Sequence, residues 1–125
     1  MGGFIKRDVP RVETAARNKK VNKEVFDAFE DYCKEQGYPM NVILETFMQQ
    51  YAKGRFYLHD IDILKWKAED YEEERLNTTV NKEIYQNFKR TCKENGFFVK
   101  HVIMAFLEAY SSRKFVLEFA LRDRN

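Results

Sequence analysis

Cysteine, histidine, proline and glycine are all scarce in this chain, and each scarcity removes an option. Its 125 residues include only two cysteines, Cys33 and Cys92, and neither has a second cysteine nearby. The two histidines, His59 and His101, are not placed to join them in a metal site. Both thiols therefore read as small buried hydrophobes in a reducing compartment, and no metal or other cofactor is expected. Two prolines and five glycines leave little room for long irregular segments. No apolar run approaches membrane length, and residues 1–7 lack the apolar core of a signal peptide. The expected compartment is the cytoplasm, with no membrane contact. Catalytic sets are missing too. No carboxylate pair, nucleophile–base set or phosphate-cradling glycine loop stands in a suitable context, so the chain is not expected to be an enzyme. Lys23–Glu24 and Lys82–Glu83 are explained by local charge balance.

What is present is a well-stocked core and an uneven charge. With 44% hydrophobic and 34% charged residues, the composition is that of one compact globular domain, not of a disordered chain. The net charge is only +2, yet bases prevail before Val21 and acids prevail between residues 60 and 74. A basic arm beside an acidic connector implies one surface that attracts polyanions and another that does not. Two solvated polar stretches would give the same pattern.

The dominant feature is a duplication. Residues 18–59 and 77–118 align without a gap, sharing Asn18/Asn77, Val21/Val80, Asn22/Asn81, Phe29/Phe88, Cys33/Cys92, Gly37/Gly96, Phe47/Phe106, Tyr51/Tyr110 and more. A unit this short cannot bury its own apolar face, so the copies are expected to pack together about a pseudo-two-fold axis. Within each copy, apolar residues at helical spacing mark two helices separated by a glycine turn. Val25, Phe29, Tyr32 and Cys33 line the first. Ile43, Leu44, Phe47, Met48 and Tyr51 line the second, whose counterpart carries Val102, Ile103, Phe106, Leu107 and Tyr110. The second helices of the two copies are expected to pair at the centre. Upstream of each first helix, residues 14–21 and 75–80 read as strands. Leu76, Thr78 and Val80 alternate with Arg75, Asn77 and Thr79, whereas Lys19 and Arg17 fit the inward face poorly. Ile61, Leu64, Trp66 and Ala68 mark a connecting helix.

Strand, helix, glycine turn and second helix in about forty residues resemble the ribbon-helix-helix unit of Arc- and TraY-like DNA-binding proteins. The likeness is most specific at V-N-K-E-V-F-D (Val21 to Asp27) and V-N-K-E-I-Y-Q (Val80 to Gln86). It implies a mainly α fold with a small two-stranded antiparallel ribbon, made by two ribbon-helix-helix repeats that form an intramolecular pseudo-dimer. The parts would be a basic arm (1–15), a first repeat (16–59), an acidic, helical connector (60–74), a second repeat (75–118) and a tail (119–125).

The resemblance further implies a sequence-preferring binder of double-stranded DNA, a transcriptional repressor or a plasmid or phage accessory factor, with its ribbon in the major groove and side-by-side self-association on longer sites. Asn18, Lys20, Arg75, Asn77 and Thr79 would then read base edges, with Ala16 on the same face. Asn bonds adenine bidentately, Arg and Lys reach guanine, and Thr bonds an edge or touches a thymine methyl. Asn18 and Asn77 equally suit turns or strand ends. Asn41, Lys100 and His101, at the starts of the second helices, would meet phosphates. Lys6, Arg7, Arg11, Arg17 and Lys19 would follow the backbone. The chain departs from the family in having Pro39 and Phe98 where a Ser or Thr cap is usual. The competing reading is a protein-interaction module, an antitoxin or a phage-encoded inhibitor, gripping a protein partner through Trp66, Tyr57 and Tyr71 on the connector.

Overall fold

A helix begins well where something accepts its first free N–H groups, and Asn22 and Asn81 do this at equivalent places in the two copies. The computed structural model describes residues 11–12, 20–56, 58–68, 72–76 and 78–113, with the backbone alone at 11, 12, 60, 61, 68, 74 and 75. The amide of Val25 donates to Asn22 Oδ1 at 2.8 Å, and that of Ile84 donates to Asn81 Oδ1 at 3.0 Å. From these caps run α1 (Lys23–Gln36) and, in the second copy, α4 (Lys82–Glu94). Gly37, at φ 80°, ends α1 in the left-handed conformation that costs glycine nothing, and its N–H bonds Cys33 and Lys34 carbonyls. The second helices are α2 (Met40–Ala52) and α5 (Val99–Ser111). A shorter helix, α3 (Asp60–Ala68), links the copies. The fold is mainly helical.

Beyond α2 the turn residue is Gly54, at φ 72°; beyond α5 the equivalent residue is Arg113, at φ 60°. A non-glycine side chain there is strained. Arg113 offsets the strain with contacts, a 2.6 Å ion pair to Glu35 and a guanidinium 4.5 Å from the Tyr32 ring. The turn residue thus has positive φ in both copies, although only the first has glycine there.

Four short strands complete the described elements: β1 (Arg11–Val12), β2 (Lys20–Asn22), β3 (Glu73–Arg75) and β4 (Val80–Asn81). They pair antiparallel, β2 with β3 and β1 with β4. Lys20 stands opposite Arg75, Val21 opposite Glu74 and Asn22 opposite Glu73; Arg11 stands opposite Asn81 and Val12 opposite Val80. Of the ribbon expected between residues 14–21 and 75–80, the described residues include the Lys20–Arg75 end, from which β2 runs on opposite residues 74 and 73, whereas Val80 pairs with Val12. Seven residues separate Val12 from Lys20, whereas four separate Arg75 from Val80, so no single register joins both pairs. Strand β3 also starts inside the segment read as connector. Residues 13–19, which carry most of the first expected strand, lie outside the described residues.

The core is assembled reciprocally. Helix α1 packs mainly on α5, and α2 on α4, so each copy's first helix lies on the other copy's second. The second helices were expected to pair at the centre. Between them the Phe47–Phe106 ring pair stacks 4.0 Å apart and within 8° of parallel. Around it the ring contacts recur at equivalent positions: Phe29–Phe106 at 6.0 Å and Phe47–Phe88 at 5.5 Å, Phe29–Tyr110 at 6.0 Å and Tyr51–Phe88 at 5.5 Å. Val21, Leu76 and Val80 are fully buried beneath the strands, and Cys33 and Cys92 are buried free thiols. Helix α3 closes one side by burying Ile63 and Trp66 against this core and joining Lys65 to Glu108 on α5 at 2.8 Å. None of the described helices is long and apolar enough to cross a membrane.

Candidate nucleic-acid interface

The described residues expected to meet a polyanion lie mainly at the strands and at the starts of α2 and α5. In β2, Val21 is buried while its neighbour Lys20 is exposed, as expected of a strand with one covered face. The register sets the Lys20 position directly opposite the Arg75 position. Like charges facing each other across a strand pair cost stability, by some tenths of a kcal/mol.

The strand pair is tied to α5 through Lys100. Its Nζ lies 2.7 Å from Glu73 Oε2, and this hydrogen bond, helped by the Lys100 and Lys20 charges, holds the Glu73 carboxyl below its ordinary range. The first turn of α5 thus carries the counter-ion of a strand residue. The starts of α2 and α5 are preceded by Pro39 and Phe98, and neither helix has a side-chain cap. Backbone N–H groups at such starts, with the helix dipole, favour an anion.

The expected site residues fall in three groups. Lys20 and Thr79 lie by the strands, Lys20 exposed and Thr79 half-buried just before β4; Arg75 is in β3 and Arg11 in β1. Asn41, Lys100 and His101 lie at the helix starts, all half-buried. Lys6, Arg7, Ala16, Arg17, Asn18, Lys19 and Asn77 lie outside the described residues, as do Tyr57 and Tyr71.

Two expectations need correction. His101 was read as a source of positive charge, but burial lowers its pKa, and the Lys100 and Lys67 charges lower it further, so its ring is neutral near pH 7. It can donate a hydrogen bond there, not a charge. Trp66 was read as an exposed grip for a protein partner, yet it is 4% exposed and belongs to the core. Helix α3 turns Leu64 outward instead, at 48% exposure.

Other residues at this end went unread in the sequence. Lys67 from α3 and Lys89 and Lys93 from α4 join Lys100, His101 and Phe98 around an open basin of about 830 Å³. Lys89 and Lys93 stand one helical turn apart, a spacing that puts them on one face. That signal was available. The contribution of Lys67 was not, because only the packing of α3 on α5 brings it near. Among the described residues no group of His, Cys, Asp and Glu could hold a metal ion. Comparison of the chain with family models, with curated proteins and with solved structures finds no match in any of the three.

Proposed function

We propose that this chain binds double-stranded DNA as a ribbon-helix-helix pseudo-dimer, with the β2–β3 strand pair entering the major groove. The observation that carries the reading is the cation position of Lys20 set opposite that of Arg75 at the head of a two-stranded pair. It is supported by the placement of that pair, directly before the Asn22-capped α1 and joined through Glu73 and Lys100 to the uncapped start of α5. A two-stranded ribbon fits the width of the major groove, and helix starts on either side of it would meet the flanking phosphates.

The reading makes the site asymmetric. Lysine and asparagine residues of the first copy stand where the second has threonines and asparagine, at Asn18, Lys19 and Lys20 against Asn77, Thr78 and Thr79. A single chain can diverge in this way, so the half-sites should differ in sequence. Selection of genomic fragments by the purified protein at moderate salt tests the proposal. A defined, non-palindromic enriched sequence is expected, with affinity falling steeply as salt rises, a log–log slope of about −0.9 per phosphate contact. Lys20→Ala and Arg75→Ala should weaken binding and relax preference at one half-site each. No enrichment, or duplex binding indifferent to salt, would remove the reading.

A further inference from the structure

The basin beside α5 has a composition that the strand pair does not explain. Its lining carries four ammonium groups, Lys67, Lys89, Lys93 and Lys100, together with the apolar side chains of Phe97, Phe98 and Val99. Among the described residues Lys67, Lys89 and Lys93 have no acidic partner, although the chain elsewhere pairs Lys23 with Asp27 and Lys65 with Glu108. Phe98 is 68% exposed in a protein that buries Phe29, Phe47, Phe88 and Phe106 completely. Its ring stands 5.5 Å from that of His101, at 63°. Apolar side chains beside a few cations, around a depression of this volume, are the usual make-up of a small-ligand site.

The chemistry of the lining narrows the ligand. All four cations are lysines, whose ammonium groups serve phosphate as point charges. The start of α5 adds backbone N–H groups without a side-chain cap. An open aromatic face beside phosphate-binding cations is how bases are held when they are not paired, by stacking. The first copy lacks the arrangement. Its equivalent positions carry Glu30 for Lys89, Pro39 for Phe98, Asn41 for Lys100 and Val42 for His101. The basin is therefore a feature of the second copy alone, not a product of the shared fold.

We infer that this basin binds a nucleoside phosphate, its base stacked on Phe98 and its phosphates held by Lys67, Lys89, Lys93 and Lys100, supplied either as a free nucleotide or as an unpaired nucleotide of a nucleic-acid strand. The inference needs no strand pair in a DNA groove and stands apart from that reading.

Calorimetric titration of the full chain tests it with four probes: ATP, inorganic tripolyphosphate, a 5′-phosphorylated single-stranded oligothymidylate and a blunt DNA duplex. ATP is expected to bind about tenfold more tightly than tripolyphosphate, and Phe98→Ala should remove that advantage. The double variant Lys89→Glu/Lys93→Glu should lose ATP altogether, while Lys34→Glu, at the first copy's counterpart of Lys93, should leave it unchanged. These positions are exposed, and an unchanged melting temperature confirms that each variant is folded. Tighter binding of the oligothymidylate than of ATP assigns the site to a strand, and the reverse assigns it to the free nucleotide. Equal binding of ATP and tripolyphosphate, insensitive to Phe98→Ala, would overturn the inference, leaving only a charged lining. So would lysine-dependent binding of the duplex alone, which would make the basin part of the duplex surface, and so would binding of no probe.

Discussion

At the scale of single residues, the most consequential group is His101. Its folded pKa lies below the ordinary 6.5 because burial, then Lys100 and Lys67, disfavour the imidazolium. The unfolded chain therefore takes up a proton first as pH falls. Stability tied to this residue is intact above pH 6.5, is lost as pH drops through that value and levels off below the depressed folded pKa. His101→Gln should flatten that part of the urea-unfolding profile against pH. A phosphate-bearing ligand in the basin would act in the opposite direction and raise the His101 pKa, which proton NMR of the ring would report. The thiols give a second test. Burial, with Glu30 adding for Cys33, pushes Cys33 up to about 12, and burial pushes Cys92 up to about 12. Both should be inert to Ellman's reagent in the folded protein and react together on unfolding, since only the thiolate attacks. Cysteine as core filler was readable from its place one turn after Phe29 or Phe88.

At the scale of elements, the junction between strand and first helix shows how the copies have diverged. The Asn81 N–H donates to Glu45 Oε2 at 2.6 Å from the other copy's second helix. At the equivalent place the Asn22 N–H faces Met104 Sδ at 3.2 Å. A charged acceptor is worth more than a thioether, so Glu45→Met should destabilise the protein by about 1–2 kcal/mol. Met104→Glu should cost more, because Met104 is fully buried and a carboxylate there would have one N–H partner for the water it loses. Chemical denaturation of both variants would decide. The ring pair at the centre should behave as a unit. Phe47→Ala and Phe106→Ala should each cost about 3–5 kcal/mol, and a double-mutant cycle should show coupling of about 0.5–1.5 kcal/mol. Helices were legible in the sequence because their apolar stripes and Gly37 and Gly96 act locally. Strands were not, since β1 to β4 are two or three residues each and their register is set by residues some sixty positions away. In α3 the sequence suggested Ile61, Leu64, Trp66 and Ala68 as its marks. The inward pair is Ile63 and Trp66, a choice fixed by the face α5 offers and invisible in nine mixed residues. The basin suffered the same way, for its lysines come from three helices.

At the scale of the whole molecule, the reciprocal packing of α1 on α5 and α2 on α4 makes each copy the completion of the other. Residues 1–59 and 60–125 expressed apart should each lack cooperative unfolding, and mixing them should restore one transition whose midpoint rises with concentration. The intact chain should show no such concentration dependence, because the connector turns a two-body assembly into a one-body one. Analytical ultracentrifugation and melting at several concentrations would check both. There is also a cost in time. A ribosome delivers the amino-terminal half first, with Phe29 and Phe47 made and the rings that cover them, Phe88 and Phe106, still unsynthesised. Until α5 emerges, the nascent protein has oily surface to hide and little of its own to hide it with.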